Sequence, residues 1–494
     1  MSTILSRRDF VGAALATSLL PVLPAAAVTP ANSKRLVAGT RVIEVNGRAA
    51  KVFGLIGPDG RPGLRLAPDE RFQVQLVNEA GAPTIVHWHG QLPPWKQDGF
   101  PWPQTPSIGN GAAQAYDYAP IPGTYWMHSH HEMQEQNLMT APLIVHDAAT
   151  LREDRQDVVL MLHDFAFRTP EEVLAELAGA PDDKDSNHKA QSPMSGMAHM
   201  SGMTDMPGMA NMPGMAMQAS GDMQMDLNDV RYDAFLANDR TLADPEIIRV
   251  ERSGRIRLRV INGASSSQFW IDLGGLTGHV VATDGHSVLP IAGGRFPIAL
   301  AQRLDILIDL PSVGVFPILA RLEGTRQQTG LVLATAGAPV LRIAENGHDT
   351  PPVDNSLEAR LNAATPLPPR AADMVQTINL GGDMRPYTWA LNDEYWPKIT
   401  PLMLRKGQRV EIDLVNRTMM AHPMHLHGHA FQVVAIDGQT IRGAVRDTVL
   451  VPAMGHVRIA FDADNPGRWA FHCHNLYHMM TGMMTEFRYE GIAA

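Results

Sequence analysis

The chain holds one cysteine, Cys473, in 494 residues. A single thiol cannot close an intramolecular disulfide, so no disulfide framework supports this fold. Cys473 is left as a buried spectator, a nucleophile or a metal ligand. Long apolar runs are also missing: beyond the N-terminus no segment approaches 18 unbroken apolar residues, so no transmembrane helix is expected. Cationic excess is absent too. The net charge of −10 argues against nucleic acid or an anionic membrane surface as partner. Composition is otherwise that of a globular protein, 45% hydrophobic and 19% charged, and the length exceeds one core, so three domains of ordinary size are expected.

The N-terminus indicates a compartment. "SRRDFVGAALATSLLPVLPAAAV" pairs Arg7 and Arg8, then gives Phe10, an apolar run and small residues at Ala25 to Ala27. Residues 1–27 are expected to be a twin-arginine export signal, removed on passage to the periplasm. That route carries proteins already folded, often with a cofactor in place.

Three segments share one strand pattern: "RFQVQLVN" to Asn78, "RIRLRVIN" to Asn262 and "QRVEIDLVN" to Asn416. Alternation with period two marks strands with one buried face. No long segment of period 3.6 competes, so the chain is predicted to be all-β, as three related β-sandwich domains. Their expected spans are 28–148, 149–350 and 351–494. The interval between the last two repeats is about 30 residues shorter than that between the first two. The excess matches an insert at about 182–226, of a kind tolerated in surface loops.

A second repeat lies in the outer domains. "PGTYWMHSH" (Pro122 to His130) and "PGRWAFHCH" (Pro466 to His474) align without a gap. The middle domain's nearest equivalent, "VGVFPILAR" from Val313, has Leu319 and Arg321 where the histidines would fall. The outer domains are therefore expected to carry the chemistry, and the middle one to act as a spacer.

Histidines occur as His-x-His four times: His87/His89, His128/His130, His425/His427 and His472/His474. On a strand, residues two apart share a face, so each pair is a two-pronged imidazole ligand and the residue between faces away. Two pairs lie in the first domain and two in the third. Packed side by side, these domains would converge eight imidazoles, donors that suit Cu, Zn, Fe or Ni. Cys473, turned the other way, can form a second site with His422, His478 and Met483. Two His, one Cys and a weak axial Met is the blue-copper electron-transfer set.

"HWHG", "HSH", "HPMHLHGH" and "HCHNLYHMMTGM" resemble the four signatures of the multicopper oxidases, over the whole mature chain. The resemblance implies three cupredoxin-like Greek-key sandwiches and four copper ions. The blue (type 1) copper would use His422, Cys473, His478 and Met483, with Met479, Met480 and Met484 nearby. The type 2 copper would use His87 and His425. The type 3 pair would use His89, His128, His130, His427, His472 and His474. Electrons from a reductant would pass through Cys473 to the three-copper cluster, where O2 is reduced to water. Asp98, in "PPWKQDGF", sits where the family places a carboxylate beside the cluster, as a proton relay. His131 and His429 have no ligand counterpart and are expected at the surface or behind the ligands.

The insert carries a methionine ladder, Met194, Met197, Met200, Met203, Met206, Met209, Met212 and Met215, followed by Met217, Met223 and Met225. Gly, Pro, Ser and Ala between them preclude a packed core. Thioethers select Cu(I), so the ladder is a candidate Cu(I) binder, with His199, Asp205 and Asp222 as helpers. Such segments resemble those of periplasmic copper-resistance oxidases and cuprous oxidases. Met479 departs from the carboxylate that many cuprous oxidases hold there. The expected partners are O2 and a reductant, Cu(I) or a phenol, with the protein a monomer. Three readings follow: cuprous oxidase, laccase acting on phenols and aromatic amines, or copper-sequestering protein. Copper nitrite reductases use two domains per chain and fewer His pairs.

Overall fold

A computed structural model describes residues 33–179 and 227–493. The expected export signal and the whole methionine ladder, with His199, Asp205 and Asp222, lie outside those residues. Six sheets pair into three cupredoxin-like sandwiches, with non-consecutive strand neighbours in each. No helix among the described residues is long and apolar enough to cross a membrane.

The three sequence repeats become the same strand three times over. Phe72–Asn78, Arg255–Asn262 and Arg409–Asn416 each pair parallel to an earlier strand, and antiparallel to a later one. The closing asparagine has one job in all three. Asn78 donates to the carbonyls of Ala82 and Ile108 and accepts from Ala80 N–H; Asn416 donates to Met420 and Val451 and accepts from Thr418 N–H. Asn262 pins its loop through Ser267 and Ala264 in the same way. A buried amide thus fixes the loop after each repeat, and in the outer sandwiches that loop feeds a histidine strand.

The middle repeat departs from the expected half-exposed alternation. Arg257 and Arg259 are buried, with Asp305 as partner of both. Arg259 also donates to Thr124 Oγ1 of the first sandwich at 2.9 Å. Its polar face meets another domain instead of solvent.

Candidate metal centre

Strand pairing sets histidine against histidine. Val86–His89 runs antiparallel to Gly123–Ser129 with His87 opposite His128, and His422–Leu426 runs antiparallel to Arg468–Cys473 with His425 opposite His472. The residues between the histidines face their own sandwiches. Trp88 packs on Phe72 and Tyr116, Ser129 donates to Gln134, and Leu426 and Cys473 join the core. Glycines complete the motifs. A Cβ on Gly99, at φ +85°, would strike the Val86 carbonyl, so only glycine lets Asp98 reach this strand.

The two outer sandwiches interleave their rings. His87 stacks on His427, and His89 on His425, each with centroids 3.8 Å apart. Nε2 of His87 lies 3.4 Å from Nε2 of His425, and Nε2 of His427 lies 3.1 Å from Nε2 of His472. Two nitrogens bound to one ion at about 2.0–2.1 Å each stand this far apart when the angle at the ion is near tetrahedral. Two further groupings stand out. His130 joins His427 and His472, and the rings of His89, His128 and His474 lie 5.0–5.6 Å apart. All eight imidazoles are buried, and Trp126 stacks on His128 at 4.4 Å.

Hydrogen bonds behind the rings fix which nitrogen faces inward. Nδ1 donates outward from His87 to the Asp98 carbonyl, from His427 to Asp98 Oδ2 at 2.7 Å, from His425 to the Asp447 carbonyl, and from His472 to the Cys473 carbonyl. His128 Nδ1 faces Glu135 Oε2 at 2.8 Å. His89 is turned around: its Nε2 meets Asp447 Oδ1 at 3.0 Å, and its Nδ1 points to His128 Nε2. Both nitrogens of His474, Nε2 of His130 and Oδ1 of Asp98 make no hydrogen bond among the described residues. Buried polar atoms are rarely left so, and a bound ion is the natural partner for inward-facing nitrogens.

Cys473 closes a second, smaller site. Its Sγ lies 3.7 Å from His422 Nδ1 and 3.6 Å from His478 Nδ1, and those nitrogens are 3.1 Å apart. Met483 is buried beside them; its carbonyl accepts from Cys473 N–H and its own N–H donates to His478. Met480 is exposed, whereas Met479 and Met484 are buried. His478 rides on the short helix Leu476–Met480, capped by the Asn475 side chain. Thr418 Oγ1 holds His422 Nε2 at 2.8 Å, and Asp229 Oδ2 holds His478 Nε2 at 2.8 Å.

Burial shapes the titration of both sites. It pulls His472 down to about 4, and holds His89, His128, His130, His422, His425, His427 and His474 well below the ordinary 6.5, with repulsion among neighbouring imidazoles adding to it. These rings are neutral at pH 7, the ligating form. Burial likewise pushes the Cys473 thiol up, so the metal-free site holds S–H, and a thiophilic ion must displace that proton. The sign for stability follows. Below pH 6.5 an unfolded chain takes up protons that the folded metal-free chain refuses, so stability falls as pH drops from 6.5 towards 4. Thermal melts of the metal-free protein across that window should show Tm dropping steeply; a flat Tm would contradict the buried neutral cluster.

The structure gathers the ten predicted histidines and Cys473 into these two groups, with Met483 joined to the smaller through its backbone. His131 sits near the surface against Ser107, and His429 packs on Tyr489 and bonds its hydroxyl, so neither joins. The expectation of a spacer role for the middle domain fails. It supplies Asp229 behind His478, and Arg303, whose guanidinium grips both carboxylate oxygens of Asp447. Sequence reasoning also missed Glu135 and Asp447. The one available signal was "AVRDTVLV", an Arg-Asp pair inside an otherwise largely apolar stretch, which interior pairing alone makes tolerable.

Three family models described as multicopper oxidase match residues 39–150, 184–345 and 368–491. The multicopper oxidase MmcO of Mycobacterium tuberculosis is 32% identical, over 87% of this chain and 81% of its own. The chain belongs to the multicopper oxidase family. A copper resistance protein A homolog of Pseudomonas syringae pv. tomato is 26% identical over 99% of this chain and 100% of its own. Laccase-1 of Trametes villosa is 24% identical over 87% and 84%. Among solved structures Fet3p, a multicopper oxidase that functions in iron import, superposes with a TM-score of 0.72 at 19% identity, covering 92% of this chain and 90% of its own; that likeness shows the shared fold. As a multicopper oxidase the protein is an oxidoreductase that carries four coppers of three types, and its buried nitrogen and sulfur donors fit them.

Proposed function

We propose that this multicopper oxidase oxidises Cu(I) to Cu(II) in the periplasm and passes the electrons, four per O2, to the reduction of oxygen to two waters. His422, Cys473 and His478, with Met483 as axial partner, are assigned to the type 1 ion. His87 and His425 are assigned to type 2, and the triads His89/His128/His474 and His130/His427/His472 to the type 3 pair. When bound, these coppers supply one-electron acceptance near the surface and oxygen reduction inside.

The observation that carries the oxidase reading is the double membership of one strand end. Cys473 belongs to one donor set, and its immediate neighbours His472 and His474 belong to the other. The His472 N–H donating to the Cys473 carbonyl at 2.9 Å adds a hydrogen-bonded step to the covalent one. Oxygen reduction also consumes protons. Asp98 is buried, accepts from His427 on Oδ2, and has an Oδ1 that makes no hydrogen bond among the described residues and lies 3.3 Å from His87 Nδ1, the disposition of a group that receives and hands on a proton.

For Cu(I) as reductant the support is the ladder's soft thioethers and its place in the sequence. Asp229, four residues beyond Met225 in sequence, is the group hydrogen-bonded to His478 at the electron-entry side. Relatives named for copper resistance agree with this. A laccase reading has an observation of its own: a cavity of about 190 Å³ lined by Leu227, Leu300, Val353, Met420 and Ala421, with Gln268 and Glu323 also in its wall, where Ala421 immediately precedes His422. The test compares kcat/KM for Cu(I) and for a phenol before and after deleting 194–225. Deletion is expected to lower the Cu(I) value several-fold and spare the phenol value. An unchanged Cu(I) value, with unchanged copper tolerance of cells, would remove the ladder's role.

A further inference from the structure

Two aspartates stand behind the eight imidazoles in matching positions. Asp98, from the first sandwich, takes His87 N–H on its main-chain carbonyl and His427 N–H on its carboxylate. Asp447, from the third, takes His425 N–H on its carbonyl at 2.8 Å and His89 N–H on its carboxylate at 3.0 Å. Each therefore ties a histidine of its own sandwich through the backbone and one of the opposite sandwich through the side chain. The two differ in charge balance. Asp98 has no arginine or lysine in hydrogen-bond contact among the described residues, and its second oxygen, 3.3 Å from His87 Nδ1, makes no hydrogen bond. Asp447 is locked: Arg303 places Nη1 on Oδ1 at 2.7 Å and Nη2 on Oδ2, and Thr448 Oγ1 adds a third donor.

We infer that Arg303, from the middle sandwich, is a positioning residue of the oxygen-reducing centre, which acts through Asp447 to hold His89 in its reversed orientation. A neutral imidazole offers one N–H and one lone pair, so the partner of one nitrogen decides what the other can ligate. Among the eight imidazoles of the cluster, His89 alone presents Nδ1 inward with Nε2 hydrogen-bonded outside, and a fixed acceptor at Nε2 is required to impose that tautomer. A lone carboxylate in a buried site would be costly and free to rotate; the planar guanidinium fork neutralises it and fixes both oxygens at once. Arg303 is itself pinned. It is fully buried, donates to the carbonyls of Thr124 in the first sandwich and Ala301 in its own, and so joins all three domains at one point. The pair also accounts for the glycine of "HWHG". A Cβ on Gly90, at φ +85°, would come within 2.5 Å of both Arg303 Nη2 and Asp447 Oδ2.

The inference rests on the assignment of the eight imidazoles to the three-copper cluster, and one experiment separates the two. Wild type, Arg303→Met and Arg303→Lys are loaded anaerobically with copper, and copper per chain, the thiolate-to-copper visible band and the EPR signal of imidazole-bound Cu(II) are recorded. In Arg303→Met the visible band should persist while cluster copper binds about 10–100-fold more weakly and the EPR signal changes. Arg303→Lys, which keeps the charge without the fork, should fall between. Wild type binding fewer than four coppers would sink the cluster assignment itself. Wild type with four, and both variants matching it in copper count and EPR, would overturn the role of Arg303 alone. Loss of the visible band together with the cluster in both variants would make Arg303 a general folding residue and overturn it equally.

Discussion

Cys473→Ser is expected to abolish oxidase activity while leaving a folded protein that holds three coppers instead of four. The substitution changes one atom, and the residue sits in a packed core where volume is what must be conserved. What changes is chemistry: a hydroxyl oxygen is a hard, weakly acidic donor and does not replace a thiolate beside two imidazoles. The visible band from thiolate to copper should vanish, and O2 uptake with any reductant should fall to background, because the residue whose neighbours reach the cluster no longer binds the entry copper. His472 and His474 are untouched, so the EPR signal of imidazole-bound Cu(II) should remain. A serine variant that still turns over, or one that loses every copper, would contradict separate jobs for the two faces of that strand end.

Asp98→Asn is expected to lower kcat by about 10²–10⁴-fold, the range for removing a positioned proton donor, with copper content unchanged. Asparagine keeps an oxygen that accepts from His427 Nδ1, so the ring stays oriented; it has no site that takes up and releases a proton near neutral pH. Steady-state kinetics and copper counts on the same sample decide the matter. Undiminished kcat would remove the relay, and loss of copper would make Asp98 a structural support. The matching change at Asp447 has a different expected outcome, altered metal binding, because Arg303 already occupies both of its oxygens.

The ligand set was legible because a strand allows no choice of direction. Residues two apart share a face, so four His-x-His pairs announce two-pronged ligands, and the residue between must face the other way; Cys473 could be placed by parity alone. The repeats ending in Asn78, Asn262 and Asn416 were legible for the same reason, as local alternation with a local loop-pinning amide. The middle repeat misled because alternation records that one face is polar and not what covers it. Arg257 and Arg259 look solvent-facing in the sequence and are buried against acids and the first sandwich.

The sequence by itself determined the fold class and the candidate donors, eight imidazoles and one cysteine, since each follows from period-two geometry acting over a few residues. Only the tertiary structure decided which imidazole meets which, why His89 is reversed, and that Asp229, Arg303 and Asp447 stand behind the ligands. The contacts between sandwiches join residues more than a hundred positions apart and depend on how three sandwiches seat against one another, and no local spacing encodes that.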